Sequence, residues 1–93
     1  MSTMVGFVKN HPEIMKLYYF SAPWCGPCKV LGPQMEKSGL PYTKVNVDSD
    51  TELSTKYGIR NVPSLVKVDA SGNEISRIVG NRPIIEIKNW YNG

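Results

Sequence analysis

The 93 residues contain two cysteines, and they stand two residues apart in Trp24-Cys25-Gly26-Pro27-Cys28-Lys29. A thiol pair at this spacing can close into a disulfide and open again, so it can carry two electrons. The apolar run Leu17-Tyr18-Tyr19-Phe20 leads into the motif, and Lys29, Val30 and Leu31 leave it in a helical pattern. The thiols therefore fall where a strand gives way to a helix. A helix N-terminus carries partial positive charge and unpaired N–H donors, so a sulfur placed there is stabilised as thiolate. Thiolate is the nucleophile of disulfide exchange, and such a setting draws a thiol's pKa below its ordinary value of about 8.5. The reading is a dithiol redox protein; the bland alternative is a pair of buried, inert thiols.

The remaining composition removes other classes. A chain of this length without a break in composition reads as one small domain spanning residues 1–93. The 11 basic and 8 acidic residues leave a net charge of +3, and the positive groups are dispersed, so no nucleic-acid partner is expected. Lys9, Asn10, His11, Pro12 and Lys16 interrupt the apolar residues of the N-terminus, which excludes a signal peptide. No apolar run approaches the roughly 20 residues of a membrane span. A soluble monomer in the cytoplasm follows, where a C-x-x-C is more often catalytic or metal-binding than structural. A structural zinc site takes about four ligands. Two cysteines and the lone His11 fall short of that, so no metal is expected unless two chains share one.

Several elements must position the thiols. Residues 3–10, with Val5, Phe7 and Val8, suit a short helix ended by His11-Pro12. Residues 15–20 read as a buried strand, and 26–37 as a helix with Leu31 and Met35 on its inner face and Pro33 as a kink. Ser38-Gly39-Leu40-Pro41 stops that helix. Tyr42–Val47 is the next strand, and Asp48, Ser49 and Asp50 offer caps for a helix near 50–57, with Asp48 read as a cap rather than an acid. Leu53 and Tyr57 share a face of that helix, and Gly58 ends it. Ser64–Asp69 and Glu74–Val79 form a hairpin, and Pro83 opens a last helix with Ile84, Ile87 and Tyr91 on its buried stripe. The predicted architecture is α/β: a four-stranded mixed sheet, first pair parallel and last pair antiparallel, with helices on both faces.

This order and the motif together resemble the thioredoxin family over roughly residues 14–92. Trp24-Cys25-Gly26-Pro27-Cys28-Lys29 followed about 35 residues later by Val62-Pro63-Ser64 is the specific part of the likeness. Lys44-Val45-Asn46-Val47-Asp48 resembles the family's central strand, and Gly80 follows the last strand where the family places a glycine. The resemblance implies a protein-disulfide reductase that binds no cofactor and takes electrons from NADPH through a separate thioredoxin reductase. Cys25, nearer the strand end and solvent-facing, would attack a substrate disulfide; Cys28, one turn inside, would resolve the mixed disulfide. Gly26 and Pro27 would shape the helix entry and tune the redox poise. Trp24, Val62, Pro63 and Gly80 would form the face that meets a disulfide-containing protein, with a cis bond before Pro63 presenting the Val62 backbone to an extended peptide.

Two departures stand out. The short N-terminus lacks the family's first strand, and Tyr19 occupies the place of the family's buried Asp, six residues before Cys25. Lys44 then stands without that Asp as its neighbour. A glutathione-dependent, glutaredoxin-like reductase and a non-enzymatic docking module on the same fold are the competing readings. Val79-Gly80-Asn81-Arg82 lacks the paired acidic residues by which glutaredoxins often hold glutathione.

Overall fold

The computed structural model describes residue 14 and residues 16–93. The short N-terminal helix, His11, Met15 at the start of the first predicted strand, and the question of a missing first family strand fall outside those residues. Seven elements follow one another: β1 (Lys16–Ser21), α1 (Gly26–Ser38), β2 (Tyr42–Asn46), α2 (Thr51–Lys56), β3 (Ser64–Val68), β4 (Glu74–Val79) and α3 (Ile84–Asn92). The strands form one sheet in the order β2-β1-β3-β4. β1 runs parallel to β2, with Tyr19 beside Lys44 and Ser21 beside Asn46. It runs antiparallel to β3, which in turn pairs antiparallel with β4. The predicted mixed sheet and the sense of each predicted pair hold.

Central strands are covered on both faces, so β1 and β3 are the apolar ones. Alternation along β1 sends Leu17 and Tyr19 to one face and Tyr18 and Phe20 to the other. On the first face Leu17, Tyr19, Leu65 and Ile78 pack with Leu31 and Met35 of α1 and Ile87 of α3. On the second, Phe20, Val45, Val66 and Val68 pack with Tyr57, while Leu53 of α2 lies against them. The i, i+4 pair read from the sequence, Leu31 and Met35, is fully buried. Each such side chain contributes about 1.5–3 kcal/mol when taken from water.

Local signals end the elements. Gly39 adopts φ +80° after α1, a left-handed cap that a residue with a Cβ resists. Asp50, and not Asp48, caps α2: its side chain accepts from the Leu53 N–H. The reason is phase, because a cap stands two or three residues before the donor it serves, and Asp48 is too far from the first turn of α2. Pro33 lies inside α1, which continues through it to Ser38.

Among the buried polar residues Ser21, Ser64 and Lys67, the lysine is the charged one. Lys67 stands in the middle of β3, yet it is buried. Its Nζ donates to the Trp90 carbonyl at 2.7 Å and lies 4.7 Å from the centre of the Trp90 ring. Burial pushes the Lys67 ammonium below its ordinary pKa. Trp90 is in turn fixed by its indole N–H donating to Ser76 Oγ at 3.0 Å. Together these contacts anchor α3 to the sheet.

Candidate active site

β1 delivers the chain to the end of the sheet at Ser21, where the strand stops, and a tight turn follows in which the Cys25 N–H donates to the Ala22 carbonyl at 3.1 Å. Cys25 is the N-cap of α1, in extended conformation with φ −86° and ψ 112°. Its sulfur accepts the Cys28 N–H at 3.1 Å. An N-cap side chain ordinarily offers an oxygen to this donor; here a sulfur does it. Pro27 has no N–H, so the first turn of α1 loses one unpaired donor without cost. That turn also contains no acidic residue. Nothing within it opposes a negative sulfur, and the helix end favours one.

Cys25 and Cys28 are joined in a disulfide with their Cα atoms 5.2 Å apart. In this oxidised form the expected difference in exposure is absent: Cys25 is 3% exposed and Cys28 6%. The reason is packing, since Ala22, Cys25 and Cys28 form one buried cluster with Val47 and Val62 against it. Ala22 and Val47 were not foreseen as neighbours of the thiols; the first lies in the turn and the second just past β2.

The second half of the site comes from the loop before β3. The Val62–Pro63 bond is cis, as the resemblance implies. Cys25 Sγ lies 3.6 Å from the Val62 carbonyl oxygen. The Pro63 ring is fully buried, so it does not itself form a contact surface; Val62 beside it is half-buried. Gly80 joins this corner by donating its N–H to the Pro63 carbonyl at 2.8 Å, at a φ of +93° that favours glycine. Trp24 stands out from the surface at 68% exposure. Its indole N–H donates to Asp48 Oδ2 at 3.0 Å, which corrects the role of Asp48: it orients the tryptophan rather than capping α2. A tryptophan–aspartate pair 24 residues apart leaves no local sequence signal.

Behind the motif, α1 and the β1–β2 pair enclose a cleft of about 370 Å³. Cys28, Tyr19, Ser21, Lys29, Glu36 and Lys44 are among its lining residues. Tyr19 is buried, and its hydroxyl donates to the main-chain carbonyl of Cys28 at 3.2 Å. Burial first, and then the neighbouring Tyr42, hold its phenol above the ordinary tyrosine pKa. Lys44 lies on the exposed edge strand, opposite Tyr19 in register. Among the described residues no three His, Cys, Asp or Glu side chains come together as metal ligands.

Comparison with known proteins agrees with this geometry. The sequence profile of the Thioredoxin family matches residues 6–92. A thioredoxin from Mycoplasma pneumoniae is 38% identical over 86 residues, which cover 87% of this chain and 80% of that protein. A thioredoxin structure from Halobacterium salinarum superposes with a TM-score of 0.71 at 32% identity, covering 95% of this chain and 80% of that one. A Fasciola hepatica thioredoxin shares the fold with a TM-score of 0.76 at 23% identity, covering 98% of this chain and 90% of that one.

Proposed function

The chain belongs to the thioredoxin family and is a thiol–disulfide oxidoreductase; from that premise we propose that it reduces disulfides in protein substrates, with Cys25 attacking and Cys28 resolving. One observation carries the assignment: Cys25 Sγ is the cap of α1 and receives the Cys28 N–H. A thiolate at Cys25 keeps that donor and the helix end as its counter-charge, whereas Cys28 supplies the donor and lies a residue triplet further in. Cys25 attacks one sulfur of the substrate disulfide and forms a mixed disulfide, releasing the other sulfur as thiolate. Cys28 then attacks Cys25, closing the Cys25–Cys28 bond and freeing the second substrate thiolate. The substrate gains two electrons and the dithiol loses them.

Substrate docks on the face made by Trp24, Val62 and Gly80, with Pro63 as its buried support and Gly26 and Pro27 shaping the helix end. Exposed Trp24, steadied by Asp48, offers a large apolar contact. Val62 lies ahead of β3, where an extended peptide can pair with it. The chain works as one domain and as a monomer in the cytoplasm, without a prosthetic group, and is returned to the dithiol by NADPH through thioredoxin reductase. No helix among the described residues is long and apolar enough to cross a membrane.

Reduction of insulin disulfides tests this reading, run once with NADPH and thioredoxin reductase and once with glutathione and its reductase. Turnover with the first system alone is the expected result. Turnover with glutathione alone would move the protein to the glutaredoxin class, and silence in both would leave a docking module.

A further inference from the structure

We propose that Tyr19 is a positioning residue for the resolving step: its hydroxyl, reaching from β1 to the main-chain carbonyl of Cys28, fixes the turn of α1 that carries the resolving sulfur, while the proton of that sulfur exchanges with solvent in the adjoining cleft. The inference rests on Cys28 being the resolving thiol.

The hydrogen bond spans 3.2 Å inside the protein, and Tyr19 is 1% exposed. In an α-helix the Cys28 carbonyl also faces the Gly32 N–H, so the hydroxyl is a second donor on an oxygen that can accept two. The next carbonyl along, that of Lys29, faces Pro33, which has no N–H to give. The helix ladder is thus one bond short immediately after Cys28, and the tie from β1 falls at that weak turn. Gly32 lies beside the same hydroxyl, with room for a Cβ at an ordinary contact distance of 3.9 Å from the Tyr19 oxygen.

Tyr19 is unsuited to taking the Cys28 proton. Burial holds its phenol protonated above the range where thiols ionise, and its hydrogen is committed to a carbonyl. The other titratable groups that line the cleft with Cys28 are Lys29 and Glu36 of α1, Lys44 of β2 and Tyr19 of β1. Glu36 is two helical turns from Cys28 and exposed, and Lys29 and Lys44 are exposed to solvent as well. The proton therefore passes to water. Cys28 thiolate then attacks Cys25 Sγ; the Cys25–Cys28 bond forms, the bond from Cys25 to the substrate sulfur breaks, and the departing thiolate takes a proton from solvent.

The reduced protein reacting with dithiobis(nitrobenzoate) separates the two steps, because Cys25 releases a first thionitrobenzoate and Cys28 a second. Across a pH series, Tyr19→Phe is expected to leave the first release unchanged and to slow the second about fivefold, the worth of one hydrogen bond, with its pH midpoint unmoved. A second release at the wild-type rate overturns the proposal. So does a slowing of both steps together, which would mean general loosening, or a shifted midpoint, which would make Tyr19 a proton carrier. Glu36→Gln is expected to alter neither rate nor midpoint; a moved midpoint there would replace solvent with the carboxylate. Cys28→Ser and Cys25→Ser check the premise separately, since each keeps one thiol and gives one release: Cys28→Ser should release at the wild-type first-step rate and Cys25→Ser much more slowly, and the reverse order would refute the assignment of the thiols.

Discussion

Two ends of two helices show one electrostatic rule put to different uses. At the N-terminus of α1 the sulfur of Cys25 receives the Cys28 N–H, so the positive end of the helix is closed by a group that can be oxidised. Near the C-terminus of α3 the ammonium of Lys67 donates to the Trp90 carbonyl, so the negative end is closed by a cation that has no further chemistry. Both caps are buried and both satisfy groups that a helix leaves unpaired. The difference is what happens when the cap is used. Cys25 Sγ keeps the Cys28 N–H while it is bonded to Cys28 in the disulfide, whereas Lys67 is held between the Trp90 ring and carbonyl. Polar burial thus supports reactivity where the partner is a soft nucleophile and supports anchoring where it is a fixed charge.

The largest expected break in this comparison is at Cys25. Cys25→Ser abolishes insulin reduction but leaves a hydroxyl to cap α1, so its unfolding midpoint should match that of the reduced wild-type protein. Cys25→Ala is equally inactive and loses the cap as well, at a cost of about 1 kcal/mol in denaturant titration. Equal stability of the two variants would show that the sulfur's hydrogen bond contributes nothing to the helix.

Next in size is Lys67→Met, which conserves most of the side-chain volume and leaves the Trp90 carbonyl without its donor. The lost charge-assisted bond is partly offset by relief of the buried charge, so the expected loss is about 1 kcal/mol of stability. Insulin reduction should proceed at the wild-type rate. A slowed reaction would connect the anchoring end to the reactive one.

The smallest effect sharpens the comparison at a third helix end. Arg77 donates to the carbonyl of Tyr57, the C-cap residue of α2, and is held there by Glu74 at 2.6 Å. Its hydrogen bonds from Arg77 place the Glu74 carboxyl below the ordinary value of 4.5. A depressed carboxyl binds fewer protons folded than unfolded, so its stabilisation is complete above pH 4.5 and is lost as pH falls through the folded pKa. Thermal melts over that acid range should fall less steeply for Glu74→Gln than for the wild type. Parallel curves would assign the acid sensitivity elsewhere.

Much of this was legible because the relevant rules are local. Two cysteines around Gly26-Pro27, apolar alternation in β1, the Leu31–Met35 pair and the glycine stop at Gly39 each depend on residues a few positions apart. Those signals were enough for the element order, the mixed sheet and the chemistry. Asp48 misled because three polar residues in a row all suit a cap, and only the backbone phase of α2 selects Asp50. Burial of Lys67 ran against its type; nothing near it in sequence announces Trp90 as partner.

By itself, the sequence determined that a thiol pair meets a helix N-terminus after an apolar strand, since spacing and propensity act along the chain. Tertiary structure alone decided that Cys25 faces Val62, that Trp24 leans on Asp48, and that Tyr19 holds the Cys28 carbonyl. These pairs lie 37, 24 and 9 residues apart, and they meet because the parallel pairing of β1 with β2 and the return of β3 beside β1 set their distances. A side chain's type says which partner it can accept; only packing says which one arrives.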